Sequence, residues 1–320
     1  MQQKNPLVNK IHFYILFASI AFSLLLSCDS QPGKESVNNK NWEGKVMTVQ
    51  GLIPADSMGI TLTHEHLLIT FSRPDMTFPS SMDLTDEATA ISELKLFAAA
   101  GGKTLTEMTT IGLGRNPEGL KRISAVTGVN VIMGAGFYKQ YWQSRSVVHK
   151  SINQLADIMI KDIIQGINGI HAGVIGEIGI TKPITPFGGK LLKASALAQK
   201  TTGASVIVHF DIDEDVKARN YALDILEKNG ADLTRVCVGH NTPYVDQVDN
   251  FVTYAKRGCY VAFDMLGLEV YKHDQDKYFS KRKLEIVETI KGLIDKGYLN
   301  NILLSQDIYV QACYVKNGGY

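Results

Sequence analysis

The sequence predicts an α/β protein folded as a (β/α)8 TIM barrel, and two observations carry that reading. Eight short apolar segments alternate with amphipathic stretches, and eight such units in about 260 residues suit a barrel of parallel strands. The ionisable residues with chemical potential collect where those apolar segments end.

Taken in order, Gly59 to His66 (GITLTHEH) is the first strand. A helix follows over Met82 to Ala100, with Leu84, Ala88, Ile91, Leu94 and Ala98 at helical spacing, acidic Asp86 and Glu87 in its first turn, and Gly101-Gly102 to stop it. Lys103 to Thr109 and Asn130 to Gly134 are the next strands. Ser151 caps a helix carrying Ile152, Leu155, Ile158, Met159 and Ile163. Ala172 to Ile178 is a strand, followed by a helix over Lys190 to Thr201. Ser205 to His209 precedes a helix over Glu214 to Asn229. Arg235 to His240 precedes one over Asp246 to Arg257 that stops at Gly258. Tyr260 to Asp264, a helix over Lys281 to Lys296, and a last strand from Asn301 to Asp307 complete the pattern. Strands that read as continuous apolar runs are covered on both faces, as parallel strands are. An open doubly wound sheet is the competing topology; the absence of GxGxxG or GxxxxGK[ST] after the first strand weakens its nucleotide-binding version. No closing helix follows the eighth strand before Tyr320, so the expectation is a barrel whose final helix is missing from this chain.

Composition is that of a globular protein, 45% apolar and 20% charged, with a formal net charge of +1. Interspersed acids and bases supply no basic face, which argues against a nucleic-acid partner. None of the four cysteines falls in a CxxC pair, so a cysteine zinc site is disfavoured; Cys237 and Cys259 sit in apolar stretches and read as buried thiols.

At the N-terminus, Lys4 and Lys10 precede an apolar run from Ile11 to Leu26, then Ser27 and Cys28. This is the pattern of an export signal, with an uncleaved anchor as the alternative. The cysteine after Leu-Leu-Ser resembles the lipobox of bacterial lipoproteins, which implies acylation at Cys28. The resulting division is a signal over 1–28, a flexible polar tether over 29–45 and the barrel over 46–320. The catalytic body is then exported and held to a bacterial membrane by lipid, in the periplasm or at the cell surface.

The strand ends carry His64 and His66, Glu177, His209, His240 and Asp307. In a barrel these ends converge on one mouth. His64 and His66, two apart, share a face while Glu65 points away, and paired imidazoles suit a metal ion. A lone histidine at a strand end is ordinarily a hydrogen-bonded structural residue, and Asp307 alone could cap the next segment. Glu177 within AGVIGEIG is harder to dismiss, because a buried unpaired carboxylate is costly. The joint pattern at five strands outweighs the bland readings.

These residues and their surroundings resemble the phosphotriesterase family of the amidohydrolase superfamily. The matching motifs are GITLTHEH, the LGRN turn at Leu113 to Asn116, GAGFY at Gly134 to Tyr138, HAGVIGEIGI with Pro183 to Phe187, VIVHF, VCVGH, VAFDMLG and ILLSQD, in the family's order from Gly51 to Tyr320. The resemblance implies two divalent ions at the mouth, usually zinc. His64, His66 and Asp307 would hold the more buried ion and His209 and His240 the more exposed one. Glu177 would bridge them, as a glutamate does in the phosphotriesterase-homology branch, whereas the family's best-known members use a carboxylated lysine. It implies hydrolysis of a small-molecule ester, lactone, amide or phosphoester, with Asp307 as the catalytic residue that orients the nucleophile and takes its proton. Glu177 tilts the expectation away from phosphotriesters. Tyr138 matches a position that reaches substrate in lactonase-like relatives, Thr242 and Pro243 stand where many relatives carry an aspartate of a proton relay, and Arg115 reads as structural. Relatives are often homodimers. Two alternatives stay open: a single-metal site, and a catalytically inactive, lipid-tethered metal- or ligand-binding protein.

Overall fold

The structure is a computed structural model that describes residues 42–71, 73, 76–211, 216–244, 248–267 and 283–319. The expected signal segment with Cys28 and positions 29–41 of the expected tether lie outside the described residues. The described part opens with an antiparallel hairpin the sequence did not announce, β1 (Lys45–Thr48) and β2 (Gly51–Pro54), tied to the barrel by the Val49 amide donating to the Val131 carbonyl at 2.9 Å.

Eight parallel strands follow: β3 (Ile60–Glu65), β4 (Gly102–Glu107), β5 (Asn130–Ala135), β6 (Val174–Gly179), β7 (Val206–His209), β8 (Val236–Val238), β9 (Tyr260–Phe263) and β10 (Ile302–Leu304). Each pairs with its sequence neighbour. The first and last meet beyond the regular ladder, where the Asp307 amide donates to the His64 carbonyl and the His66 amide to the Ile308 carbonyl, both at 3.2 Å. Every strand the sequence predicts is present, and the ring they form is the expected (β/α)8 barrel.

Side chains alternate along the strands as the period of two requires. Val206, Val208, Val236, Val238, Val261 and Phe263 join the large core shared with the outer helices, while Ile207, Cys237 and Ala262 form a separate cluster with Met108. The outer helices are α1 (Glu87–Ala99), α2 (Pro117–Thr127), α3 (Arg145–Val148), α4 (Ile152–Ile164), α5 (Pro186–Thr202), α6 (Val216–Lys228), α7 (Val248–Lys256) and α8 (Lys283–Asp295). Local sequence explains their starts. Asp86 accepts from the amides of Ala88 and Thr89, and Ser151 and Gln154 form a reciprocal capping box. Asn116 and Thr185 each cap a helix that begins on proline, Pro117 and Pro186. The last pair explains two departures from expectation: α2 was not foreseen, and α5 starts four residues before Lys190. Leu191, Leu192 and Leu223 are fully buried between helices and strands, where truncating a leucine to alanine typically costs ~2–5 kcal/mol.

Glycines shape the strand that matters most. Gly176 has φ +135, and a Cβ there would lie 2.5 Å from the Ile207 carbonyl oxygen; a Cβ on Gly134 would lie 2.0 Å from the Gly176 oxygen. Only bare backbone fits this crossing. Beside it the β6–β7 register shifts between Ile175 and Ile178, which is where Glu177 leaves the strand's alternation. Cys237 and Cys259 are buried thiols, as expected, and burial pushes the Cys259 thiol up to about 12. Among the described residues no helix is long and apolar enough to cross a membrane.

Candidate metal centre

At the C-terminal rim of the barrel six predicted residues come together. His64 Nε2 lies 3.4 Å from Glu177 Oε2 and 3.9 Å from Asp307 Oδ1. His66 Nε2 lies 3.4 Å from Asp307 Oδ1 and 3.8 Å from Glu177 Oε1. His209 Nδ1 is 2.7 Å from Glu177 Oε2 and 2.6 Å from His240 Nε2. Glu177 therefore faces all four imidazoles, since His240 Nε2 is 3.9 Å away. Two groups of three have ligand atoms within 4.8 Å of one another: His64, His66 and Asp307, and His64, Glu177 and His240. The first is the set expected around the more buried ion. In the second, His64 stands where His209 was expected, though His209 touches both Glu177 and His240.

The strands place these groups with one correction. His240 and Asp307 do not sit in regular strand, because β8 stops at Val238 and β10 at Leu304. Both take left-handed backbone, φ 55 and φ 54, which turns their side chains into the mouth. Arg219, 2% exposed, fixes the first of these turns by donating to the carbonyls of Gly239 at 2.7 Å and His240 at 3.0 Å and to Asn241 Oδ1 at 3.1 Å. Glu65 points out of the site, as the alternation predicts. Its buried carboxylate accepts from Ser305 Oγ at 2.6 Å and from the amides of Gln306 and Ile308 at 2.8 Å, stitching β3 to the end of β10.

The hydrogen-bond network sets the imidazole tautomers. Thr109 Oγ1 donates to Glu107 Oε1 at 2.6 Å, so it accepts from His66 Nδ1 at 2.9 Å and leaves the Nε2 lone pair inward. Asp264 does the same for His240 and stands beside His64. It is fully buried, accepts the His240 amide at 2.9 and 3.0 Å, and lies 3.2 Å from His240 Nδ1 and 3.4 Å from His64 Nδ1. Sequence reading passed over Asp264, although it ends the apolar strand VAFD just as Glu177 interrupts its own. On His209 the outer nitrogen, Nε2, meets the Tyr138 hydroxyl at 3.0 Å, leaving Nδ1 inward.

Electrostatics identify what the cluster is built to hold. His64 is 1% exposed, and among the described residues neither ring nitrogen has a hydrogen-bond partner. Burial alone would depress its pKa, but Glu177, Asp264 and Asp307 outweigh burial and lift it to about 10. Burial works to raise Glu177, yet His209 and His64 hold it well below the usual carboxylate range. Burial likewise opposes ionisation of Asp264, which His240 and His64 bring down to about 2. Carboxylates that stay ionised and draw a second proton onto buried His64 mark a site with an excess of negative charge for a cation to neutralise, and imidazole with carboxylate is a donor set that suits zinc. The residues fit a metal centre.

Above the cluster lies a pocket of about 350 Å³, lined by Tyr138, Lys139, Asp211 and Tyr309 and by apolar Ile69, Phe71, Leu113, Phe210 and Met265. A larger cavity of about 950 Å³ opens among residues that begin the strands, including Thr61 and Cys237, but neither metal-capable group lines it. Arg115 is structural, as expected: it donates to the Gly134 carbonyl at 3.1 Å and pairs with Asp162 at 2.8 Å. Thr242, in place of the relay aspartate, accepts from the Met265 amide at 3.0 Å and ties the loops after β8 and β9 together.

The model of the phosphotriesterase family matches residues 44–320. The chain belongs to the phosphotriesterase family. Its relatives include the N-acetyltaurine hydrolase of Mus musculus, 33% identical over 311 residues, 87% of this chain and 88% of that protein. Among solved structures, a resiniferatoxin-binding protein from Rhodobacter sphaeroides superposes with a TM-score of 0.79 at 33% identity, covering 87% of this chain and 85% of its own. The phosphotriesterase homology protein from Escherichia coli, solved with phosphate in its active site, has a TM-score of 0.74 at 32% identity, covering 83% of this chain and 87% of its own. As a family member whose relatives are hydrolases, the chain is read as a hydrolase with a metal-capable centre.

Proposed function

We propose that this chain is a binuclear, zinc-dependent hydrolase that cleaves the amide bond of a small N-acylated amine. The observation that carries the metal reading is His64, buried with both ring nitrogens unpartnered among three carboxylates. The amide assignment is supported by relatives named for N-acetyltaurine hydrolysis that align over 87% of this chain.

His64, His66 and Asp307 would hold one ion, His209 and His240 the second, with Glu177 between them. Two divalent cations, when bound, supply the Lewis acidity that activates water near neutral pH and polarises the scissile carbonyl. Asp307, 6% exposed on the pocket floor, orients the attacking water and accepts its proton. Asp264 and the Glu107–Thr109 pair keep His240 and His66 in their ligating tautomers. Burial and the nearby carboxylates hold the Tyr138 phenol protonated, so its hydroxyl can serve as a polar contact to substrate. Metal analysis of the purified protein, followed by rates on N-acetyl amines, lactones, chromogenic esters and phosphoesters, tests the proposal. Two metals per chain with amide turnover are expected; two metals without turnover on any class would favour a binding protein instead. Export and acylation at Cys28 are part of the proposal and are tested by membrane fractionation and by the mass of the mature N-terminal peptide.

A further inference from the structure

Lys139 follows β5 and reaches the pocket wall beside Tyr138. It is 5% exposed, its Nζ donates to Asp211 Oδ1, and it lies 4.9 Å from the centre of the Tyr138 ring. An ammonium carries three donors, and among the described residues Asp211 is the one acceptor that Lys139 donates to. The ion pair is lopsided. The Lys139 side chain is 6% exposed and the Asp211 side chain 34%, and both line the pocket, so the cation is the more deeply buried partner. Burying an ammonium beside Ile69, Phe71, Leu113 and Phe210 is costly, and the Asp211 carboxylate takes up only part of its donor capacity. The position is also close to the chemistry: Asp211 Oδ1 is 3.8 Å from His209 Nε2, and the Tyr138 hydroxyl is 3.0 Å from the same atom.

We infer that Lys139 determines specificity by binding a carboxylate or sulfonate carried a few bonds from the scissile carbonyl of the substrate. This rests on the hydrolase reading of the same site and adds which residue reads the substrate and what charge it requires. With Asp211 holding the ammonium in place, a substrate anion takes the remaining N–H donors while its acyl group lies towards Asp307. A pocket of about 350 Å³ restricts such a substrate to a small one.

The test compares three acetamides in the zinc-loaded full chain: N-acetyltaurine, N-acetyl-β-alanine, and the neutral methyl sulfone with the shape of N-acetyltaurine. Wild type is expected to favour an anionic acetamide over the sulfone by at least about ten-fold in kcat/KM, equivalent to roughly one bound charge-assisted contact. Lys139→Gln should bring that ratio near unity through KM, with two zinc ions retained, and Lys139→Arg should restore part of the preference. Equal rates on charged and neutral acetamides in wild type, or a preference untouched by Lys139→Gln, would overturn the inference, leave the hydrolase reading standing, and reduce the Lys139–Asp211 pair to a tie between loops. If no acetamide turns over with both metals present, the amide-hydrolase reading fails. Calorimetric binding of N-acetyltaurine then decides on Lys139 alone: weakened binding in Lys139→Gln supports it, and unchanged binding refutes it.

Discussion

Replacing Asp264 with asparagine removes one charge and two acceptor positions from beneath the metal centre while preserving size. The carboxylate receives the His240 amide at 2.9 and 3.0 Å and lies within 3.4 Å of both His240 Nδ1 and His64 Nδ1. Asparagine retains one oxygen for the amide but presents an N–H₂ to at least one ring. That ring must then give up its Nδ1 proton, and the tautomer places the proton on Nε2, the nitrogen meant for the metal. Loss of such an outer partner costs ~10–100-fold in metal affinity, or about 1.4–2.8 kcal/mol. His64 belongs to both metal-capable groups, so the upper half of that range is expected here. Competition with a chromophoric zinc chelator measures the affinity directly. A variant that binds zinc within two-fold of wild type would refute the role assigned to Asp264. The same carboxylate gives a pH signature in metal-free protein. Its folded pKa, about 2, lies below the usual 3.8, so its stabilisation is fully present above about pH 4 and is lost as pH falls towards 2. Urea unfolding at pH 5 and pH 2.5 should show a smaller loss in Asp264→Asn than in wild type.

Three further substitutions follow from the geometry. Asp307→Asn should lower kcat by about 10²–10⁴-fold with metals largely retained, checked by steady-state kinetics and metal content; an unimpaired rate would reject its proton-accepting role. Thr109→Val leaves buried His66 Nδ1 and Glu107 without their shared hydroxyl, which should cost about 1–3 kcal/mol in urea unfolding and weaken zinc binding. Glu65→Ala strips three donors at the β3–β10 seam of their acceptor and should destabilise the fold by roughly 3 kcal/mol or more without a change in metal stoichiometry of the folded protein.

Much of this was legible in the chain. Apolar strands with ionisable ends are a strong signal because burial forbids unpaired charge, and that signal located Glu177, His209 and the His64–His66 pair. Asp264 carried the same signal at the end of VAFD and was read only as a strand terminus; an aspartate closing a fully buried strand should have been asked for its partner. The helix from Pro117 was also readable, since Asn116-Pro117 is a cap followed by proline in the first turn. What could not be read is where His240 and Asp307 leave the ladder. Their left-handed backbone is imposed by tertiary contacts, the Arg219 guanidinium and the seam with His64, and no local propensity encodes it. The Lys139–Asp211 pair joins residues 72 apart in sequence, which spacing alone does not reveal.

Anomalous diffraction at the zinc edge, from crystals of zinc-loaded protein, addresses the central claim. Two peaks are predicted, one against His64, His66 and Asp307 and one against His209 and His240, with Glu177 contacting both. A single peak, or density elsewhere with Glu177 hydrogen-bonded only to histidine, would contradict the account.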